Sequence, residues 1–160
     1  MWFHNLVASL GYCKLNKPTL ERRIGVNGKI RYFYRVRTFC FSSFNWIHDL
    51  FYPDGSTKVV PTNIADYLTP MALAIWLMDD GTSHSSGLRF CTHGFTKADV
   101  EFLGQILWDK YGIRTSLHRH KPDMDQYYLY IRADSMQLLS IIVKPYLYLH
   151  PSMHWKLGRY

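Results

Sequence analysis

The spacing of apolar and polar positions changes in a regular order along this chain. Trp2 to Cys13 carries apolar side chains at helical intervals and predicts a short amphipathic helix. From Thr19 to Val26 and from Ile30 to Thr38 the period drops to two. Asn27-Gly28-Lys29 lies between these runs, a type I′ turn signal, so a β-hairpin is expected. Ser42 and Ser43 suit the N-cap of a helix reaching about Tyr52, and Pro53-Asp-Gly55 reads as a turn. Thr69 as N-cap and Pro70 at the first helical position open an apolar helix that ends in Asp79, Asp80 and Gly81. Short strands are then predicted around Ser83-His-Ser-Ser-Gly87, with Leu88 to Thr92 extended. Thr96, with Asp99 three residues on, resembles a capping box for a helix to about Tyr111. Ile113 to His120 and Gln126 to Ala133 predict a second hairpin across Lys121-Pro-Asp123. Asp134 or Ser135 then caps a last helix to Lys144, which Pro145 is expected to stop.

The two hairpins align. Arg31-Tyr-Phe-Tyr-Arg-Val-Arg-Thr38 lies over Gln126-Tyr-Tyr-Leu-Tyr-Ile-Arg-Ala133, an offset of 126 − 31 = 95 residues. Each hairpin follows a helix and precedes a Ser-capped one, so two copies of one unit are expected, over residues 1–66 and 67–160. The copies are unequal. The second begins with the acid-tipped helix and a strand pair; the first has no counterpart for these and starts at what would be its middle helix.

The acid-tipped helix, Leu73-Ala-Ile-Trp-Leu-Met-Asp-Asp-Gly81, is the candidate chemical site. Carboxylates at a helix C-terminus face the negative end of the macrodipole, so a cation is expected to offset that cost. Ala72 and Ala74 are small enough to let another helix approach closely. A metal site on a helix–helix interface fits this pattern; a surface helix stopped by an Asp-Gly turn is the plain alternative.

Composition narrows the field. Hydrophobic residues make up 48% and aromatic residues 16% of the 160, which excludes a disordered chain and gives enough length for one ordinary core. The longest apolar run, Met71 to Met78, is far short of the roughly 20 residues a membrane helix needs. No charged segment precedes an apolar block at the N-terminus, so no secretory signal is expected. Nineteen Lys and Arg against 12 Asp and Glu give +7, favouring a polyanionic partner, nucleic acid ahead of an acidic membrane. Three scattered cysteines indicate neither a disulfide framework nor a zinc knuckle, and the eight histidines are read as a basic face or core packing. Strand period puts Arg31, Phe33, Arg35 and Arg37 on one face of the first hairpin, with Tyr32, Tyr34 and Val36 on the other. In the second, Gln126, Tyr128, Tyr130 and Arg132 share a face; His118 and His120 share one on the preceding strand. Such faces suit a β-ribbon in the DNA major groove, where Arg and Gln make paired contacts to bases. An ordinary solvated sheet face is the alternative.

Taken together these residues resemble the LAGLIDADG homing endonucleases. Leu73-Ala74 match the opening of the motif and Asp80-Gly81 its close, while Ile75 to Asp79 depart from it. Tyr67-Leu-Thr-Pro70 and Trp76-Leu-Met-Asp-Asp-Gly81 look like the second-motif variant of two-motif organellar members. Thr92-His-Gly-Phe-Thr96 and Lys144-Pro-Tyr-Leu147 also look familiar from that subgroup. The resemblance covers nearly the whole chain. It implies an α+β fold of αββαββα units whose motif helices pack side by side and whose antiparallel sheets form a saddle over DNA, here with one complete unit and a partial N-terminal one. By the same resemblance Asp80 matches the acid that binds divalent metal, Mg²⁺, with Asp79 secondary. Lys58 and Lys156 match the lysines that support the hydrolytic water and the developing charge. The ancestral activity would be metal-dependent double-strand DNA cleavage, in a mitochondrion or other organelle.

A two-motif enzyme needs an acid from each motif helix, and this chain carries one such helix. An apolar seam around Ala74 and Leu77 is therefore expected to be exposed and to require a partner. That partner could be a separate fragment, the remainder of a longer enzyme, or a second copy of the chain. Alternatively the chain has lost cleavage and kept binding, as an intron maturase or a structural part of an organellar ribonucleoprotein such as a mitochondrial ribosome. That role needs only phosphate and shape contacts.

Overall fold

The computed structural model of the chain describes residues 2–148 and 150–160. The elements run α1 (Trp2–Ser9), β1 (Leu20–Ile24), β2 (Ile30–Tyr34), α2 (Asn45–Phe51), α3 (Ile64–Tyr67) and α4 (Pro70–Asp80). They continue with β3 (Gly81–His84), β4 (Gly87–Phe90), α5 (Lys97–Tyr111), β5 (Thr115–Arg119), β6 (Tyr127–Ile131) and α6 (Met136–Leu147). From α4 onward the order is αββαββα. The chain divides by its internal contacts into two compact units, residues 1–45 and 46–160.

In the second unit the four strands form an antiparallel sheet in the order β3-β4-β6-β5. Alternation along β6 buries Tyr127, Leu129 and Ile131 and leaves Tyr128 and Tyr130 half-buried on the opposite face. The buried face, with Leu88 and Phe90 of β4, packs on all three long helices. Leu73, Ala74 and Leu77 come from α4, Val100, Leu103 and Leu107 from α5, and Met136, Leu139 and Val143 from α6. A sheet with helices on one face only leaves its other face open to a ligand.

Local chemistry sets the helix starts. The Thr69 hydroxyl accepts from the Ala72 N–H at 3.2 Å with Pro70 at the first position, and Thr96 and Asp99 form a reciprocal capping box. Asp99 does more than cap: its Oδ1 accepts from the Val60 N–H at 3.1 Å, tying α5 to the segment before α4. We expect Asp99→Ala to lower stability by about 1–2 kcal/mol, as loss of a cap typically does. Urea unfolding of the two proteins measures it. At the other end of α4, Gly81 turns directly into β3, and a Cβ there would sit 2.5 Å from the Leu77 carbonyl oxygen. Only glycine lets the strand leave so close to the acids.

Two local expectations are corrected. Pro145 does not stop α6, which runs on to Leu147; the proline costs one backbone donor but the next turn closes through Tyr148 N–H to the Lys144 carbonyl. The serines expected to cap α2 and α6 do not do so, since both helices are entered through a 3-10 turn, Ser42–Phe44 and Ala133–Ser135. Ser135 Oγ instead accepts from the Arg114 N–H at 2.9 Å. By packing, residues 46–66, which the repeat assigns to the first copy, lie in the second compact unit. Their backbone is held there by Asp99, by Lys110 on the Ala65 carbonyl and by the short stretch leading to Leu68, whose carbonyl accepts from Tyr111 at 2.5 Å. Where one repeat ends and where packing divides are different quantities.

The first unit holds α1 and the β1–β2 hairpin. Asn27 and Gly28 both have positive φ, as a type I′ turn requires at its centre, and Gly25 and Lys29 close the loop at 2.8 Å. The hairpin face bearing Leu20, Ile24, Ile30, Tyr32 and Tyr34 is exposed. Tyr34 is 52% exposed, whereas Leu129, its equivalent at an offset of 95 residues, is fully buried. The difference has a physical source. β6 is flanked by β4 and β5 and covered by helices, while β2 has β1 as its one partner among the described residues.

Candidate active site and nucleic-acid interface

Helix α4 is apolar nearly all round, so its period alone does not show which side faces inward. The structure resolves this and overturns an expectation. Ala74 and Leu77, taken as the exposed seam, are fully buried against the chain's own core, where α4 meets α6. Met71, Ile75 and Asp79 are open along one side of α4, and beside them runs the partly open row Ala72, Trp76 and Asp80. That row lines a largely apolar groove with Phe51, Val60, Ile64, Tyr67, Leu68, Phe95 and Leu103, and Lys58 stands at the same end as Asp80. Trp76 is held by stacking on Phe90, with ring centroids 4.0 Å apart.

Both acids are exposed at the helix tip. Desolvation, then the neighbouring Asp79 charge, hold the Asp80 carboxyl above the usual carboxylate range; Lys58 and Lys156 act in the opposite sense. Lys156 lies on the 3-10 segment Pro151–Leu157, is 7% exposed, and donates to the carbonyls of Met78 at 2.5 Å and Asp79 at 3.2 Å. It thus satisfies the last carbonyls of α4, where the helix is most negative. Burial lowers its affinity for a proton, against the pull of Asp79 and Asp80. Lys58 reaches the site from outside, with its Nζ 4.5 Å from the centre of the Phe95 ring. The structure therefore brings Asp79, Asp80, Lys58 and Lys156 to one place from stretches nearly 100 residues apart in sequence.

The donor chemistry fits a hard cation in part. Among the described residues neither Asp79 nor Asp80 lies in an ion pair, so the two carboxylates are not neutralised by direct contact. Mg²⁺ is commonly held by one or two carboxylates plus substrate phosphates and water. Among the described residues no group of three or more acidic, His or Cys side chains is arranged to hold a metal, so this chain offers a fraction of a shell.

On the open face of the sheet, Tyr128 and Tyr130 of β6 pair across to His118 and Ser116 of β5. His118 stacks on Tyr128 at 5.6 Å, and its Nε2 lies 2.9 Å from Ser116 Oγ. Sequence reasoning missed Arg89, which pairs with Tyr130 across β4–β6 and lies over the Tyr128 ring at 4.8 Å. It also missed His84, His93 and Ser116. Alternation in Leu88-Arg89-Phe90 carries the signal, since Leu88 and Phe90 are core residues and Arg89 must point the other way. His120 and Gln126 extend the β5–β6 ladder by a backbone bond of 2.8 Å, and Arg132, past the strand end, pairs with Asp134 at 3.5 Å. Arg31, Arg35 and Arg37 belong to the first unit. β2 ends at Tyr34, and Arg35 and Arg37 share Glu21 at 3.2 and 3.8 Å, so part of their charge is spent internally. No helix of the described residues is long and apolar enough to cross a membrane.

Comparison with known proteins agrees with this geometry. The model of the LAGLIDADG DNA endonuclease family matches residues 1–139. The chain is 40% identical to the cytochrome b mRNA maturase bI2 of Saccharomyces cerevisiae, over 99% of this chain and 38% of that protein. It is 43% identical to the maturase of the same name from Debaryomyces hansenii, over 100% of this chain and 60% of that one. The chain thus spans between about two fifths and three fifths of these relatives. The homing endonuclease I-WcaI, solved bound to its DNA recognition sequence, superposes with a TM-score of 0.82 at 27% identity, covering 98% of this chain and 70% of that one. With an αββαββα unit, an acid-tipped helix and a family match over most of its length, the chain belongs to the LAGLIDADG DNA endonuclease family.

Proposed function

We propose that this chain supplies one half of a site-specific, Mg²⁺-dependent DNA endonuclease of organellar, mitochondrial origin. A second motif helix, seated along Ala72, Trp76 and Asp80, brings the other acid. The observation that carries this reading is the groove, apolar along its length and ending in Asp80 and Lys58. An apolar helix with an acidic tip is its natural complement, whether that helix belongs to a second copy, a separate fragment or a longer polypeptide.

Phosphodiester hydrolysis needs charge neutralised at the phosphate, an activated water and an in-line leaving group. Mg²⁺, held by Asp80 with Asp79 in support, would supply Lewis-acid stabilisation of the phosphate oxygens. The protein residues do the rest. Lys156, fixed by two carbonyls, and Lys58, held over Phe95, set positive charge beside the scissile phosphate and stabilise charge that develops there. The open sheet face, with Arg89, Gln126, Tyr128, Tyr130, His118 and His120, positions the duplex and Arg132 adds a phosphate contact; in the first unit Arg31, Arg35 and Arg37 are the basic residues suited to phosphate.

The two maturase relatives favour a second reading, a derivative that binds structured RNA and no longer cuts. Incubating the chain with its completing helix and DNA bearing the intron-insertion sequence, with and without Mg²⁺, separates the two. Mg²⁺-dependent double-strand cuts are expected. Absence of cutting together with tight binding to structured intron RNA would contradict the endonuclease reading.

A further inference from the structure

We propose that nucleic-acid binding by this chain takes up protons, because His84, His93, His118 and His120 form an imidazole tract on the open sheet face and an imidazolium holds a phosphate oxyanion more strongly than a neutral ring does. The inference rests on the nucleic-acid-binding reading above and adds to it a ligand chemistry, the phosphate oxyanion, for residues on that face.

The tract is continuous. His118 stands 5.0 Å from Tyr130, and His84 lies edge-on to the same ring at 6.2 Å. His93 and His120 rings are 4.2 Å apart, and His93 lies 6.2 Å from Tyr128. The two tyrosines thus space four imidazoles across strands β3 to β6 and the loop after β4. The groups facing them are Arg89 and Cys91 beside His93, with Cys91 Sγ 3.5 Å from His93 Nδ1, then Ser116 beside His118, and the tyrosine hydroxyls. Among the described residues no carboxylate forms an ion pair with any of the four; the ion-paired histidine is His48, with Asp49 on α2.

That absence of an internal anion decides the behaviour. An imidazolium here gains no partner within the protein, and His93 is held below its usual range by desolvation, then by His120 and Arg89. A phosphate chain laid across the face supplies the anion that the protein does not place beside these rings. Linkage fixes the sign: any group that binds a proton more tightly in the complex than in the free protein makes binding tighten as pH falls. Each imidazolium that meets a phosphate also raises the salt slope by roughly 0.9.

The test is fluorescence anisotropy with the full chain and a mixed-sequence DNA duplex at constant ionic strength. Each net proton taken up tightens binding about tenfold per pH unit, so we expect at least about a tenfold gain between about pH 8 and pH 6, with a steeper salt slope at the lower pH. The variant combining His84→Gln, His93→Gln, His118→Gln and His120→Gln should bind more weakly than the native chain at pH 6 and lose the gain as pH falls, whereas His48→Gln should keep it. Because the combined variant can fail to fold, the single variant His118→Gln and the native salt slopes provide independent readings; a partial loss and a pH-dependent slope are expected. Binding that is equally tight at both pH values, or a pH response retained in the folded combined variant, overturns the proposal and leaves the nucleic-acid reading standing. Absence of binding at every pH overturns that reading as well.

Discussion

Asp80→Asn should reduce cleavage by at least about a thousandfold, roughly 4 kcal/mol of transition-state stabilisation, and leave duplex binding unchanged. The side chain keeps its shape and loses the charge that a divalent cation needs. Binding is carried by the sheet face, whereas Asp80 belongs to the end of α4 and to no strand of that sheet. The same substitution should make the fold slightly more stable. Asp80 holds its proton more tightly in the folded protein than a free carboxyl does, so its ionised form costs stability at pH values above its ordinary range, a cost that disappears as pH falls. Asparagine removes that cost, at a gain of about 0.3–1 kcal/mol. Cleavage, anisotropy and thermal unfolding on one preparation read all three. A stable, tightly binding, inactive variant marks a group retained for chemistry; an unstable one would make Asp80 structural.

Lys156→Met should cut cleavage by about a hundred- to a thousandfold, as loss of one charge stabiliser typically does. It should also cost about 1–2 kcal/mol of stability, because two carbonyls at the end of α4 lose their donor while the desolvation of a buried ammonium is recovered. Lys58→Met is the internal contrast. Lys58 is exposed and its one described contact is the Phe95 ring, so activity should fall with little change in unfolding. If both variants lose stability equally and neither loses activity beyond that, the lysines are structural and the electrostatic account fails.

How far the sequence reveals this protein depends on the kind of feature. The hairpins, the capping box at Thr96 and Asp99 and the acid-tipped helix were legible because each is a local pattern with one physical meaning. The 95-residue offset between the hairpins exposed the repeat, since Tyr127, Leu129 and Ile131 and their equivalents keep the same parity. The open side of α4 was not legible: Ala72, Ala74, Trp76 and Leu77 are all apolar, and only packing against α6 decides that Ala74 and Leu77 go inside. Arg89 and His93 escaped for a different reason. They sit in or beside a four-residue strand whose alternation marks the outward face but not its use, and their importance comes from Tyr128, which is remote in sequence. The convergence of Lys58 and Lys156 on Asp80 was expected from resemblance alone, because no spacing rule links residues so far apart.

The central claim is that the Ala72–Trp76–Asp80 side of α4 receives a second motif helix and thereby completes the site. A photo-crosslinking residue placed at Ala72 in the nucleic-acid-bound assembly, followed by mass spectrometry of the adduct, tests it directly. The account predicts an adduct to an apolar helical peptide that ends in an acidic residue, formed in the same assemblies that cut DNA. An adduct to RNA or to an unrelated protein, or reaction with solvent alone in an assembly that cuts, would contradict it.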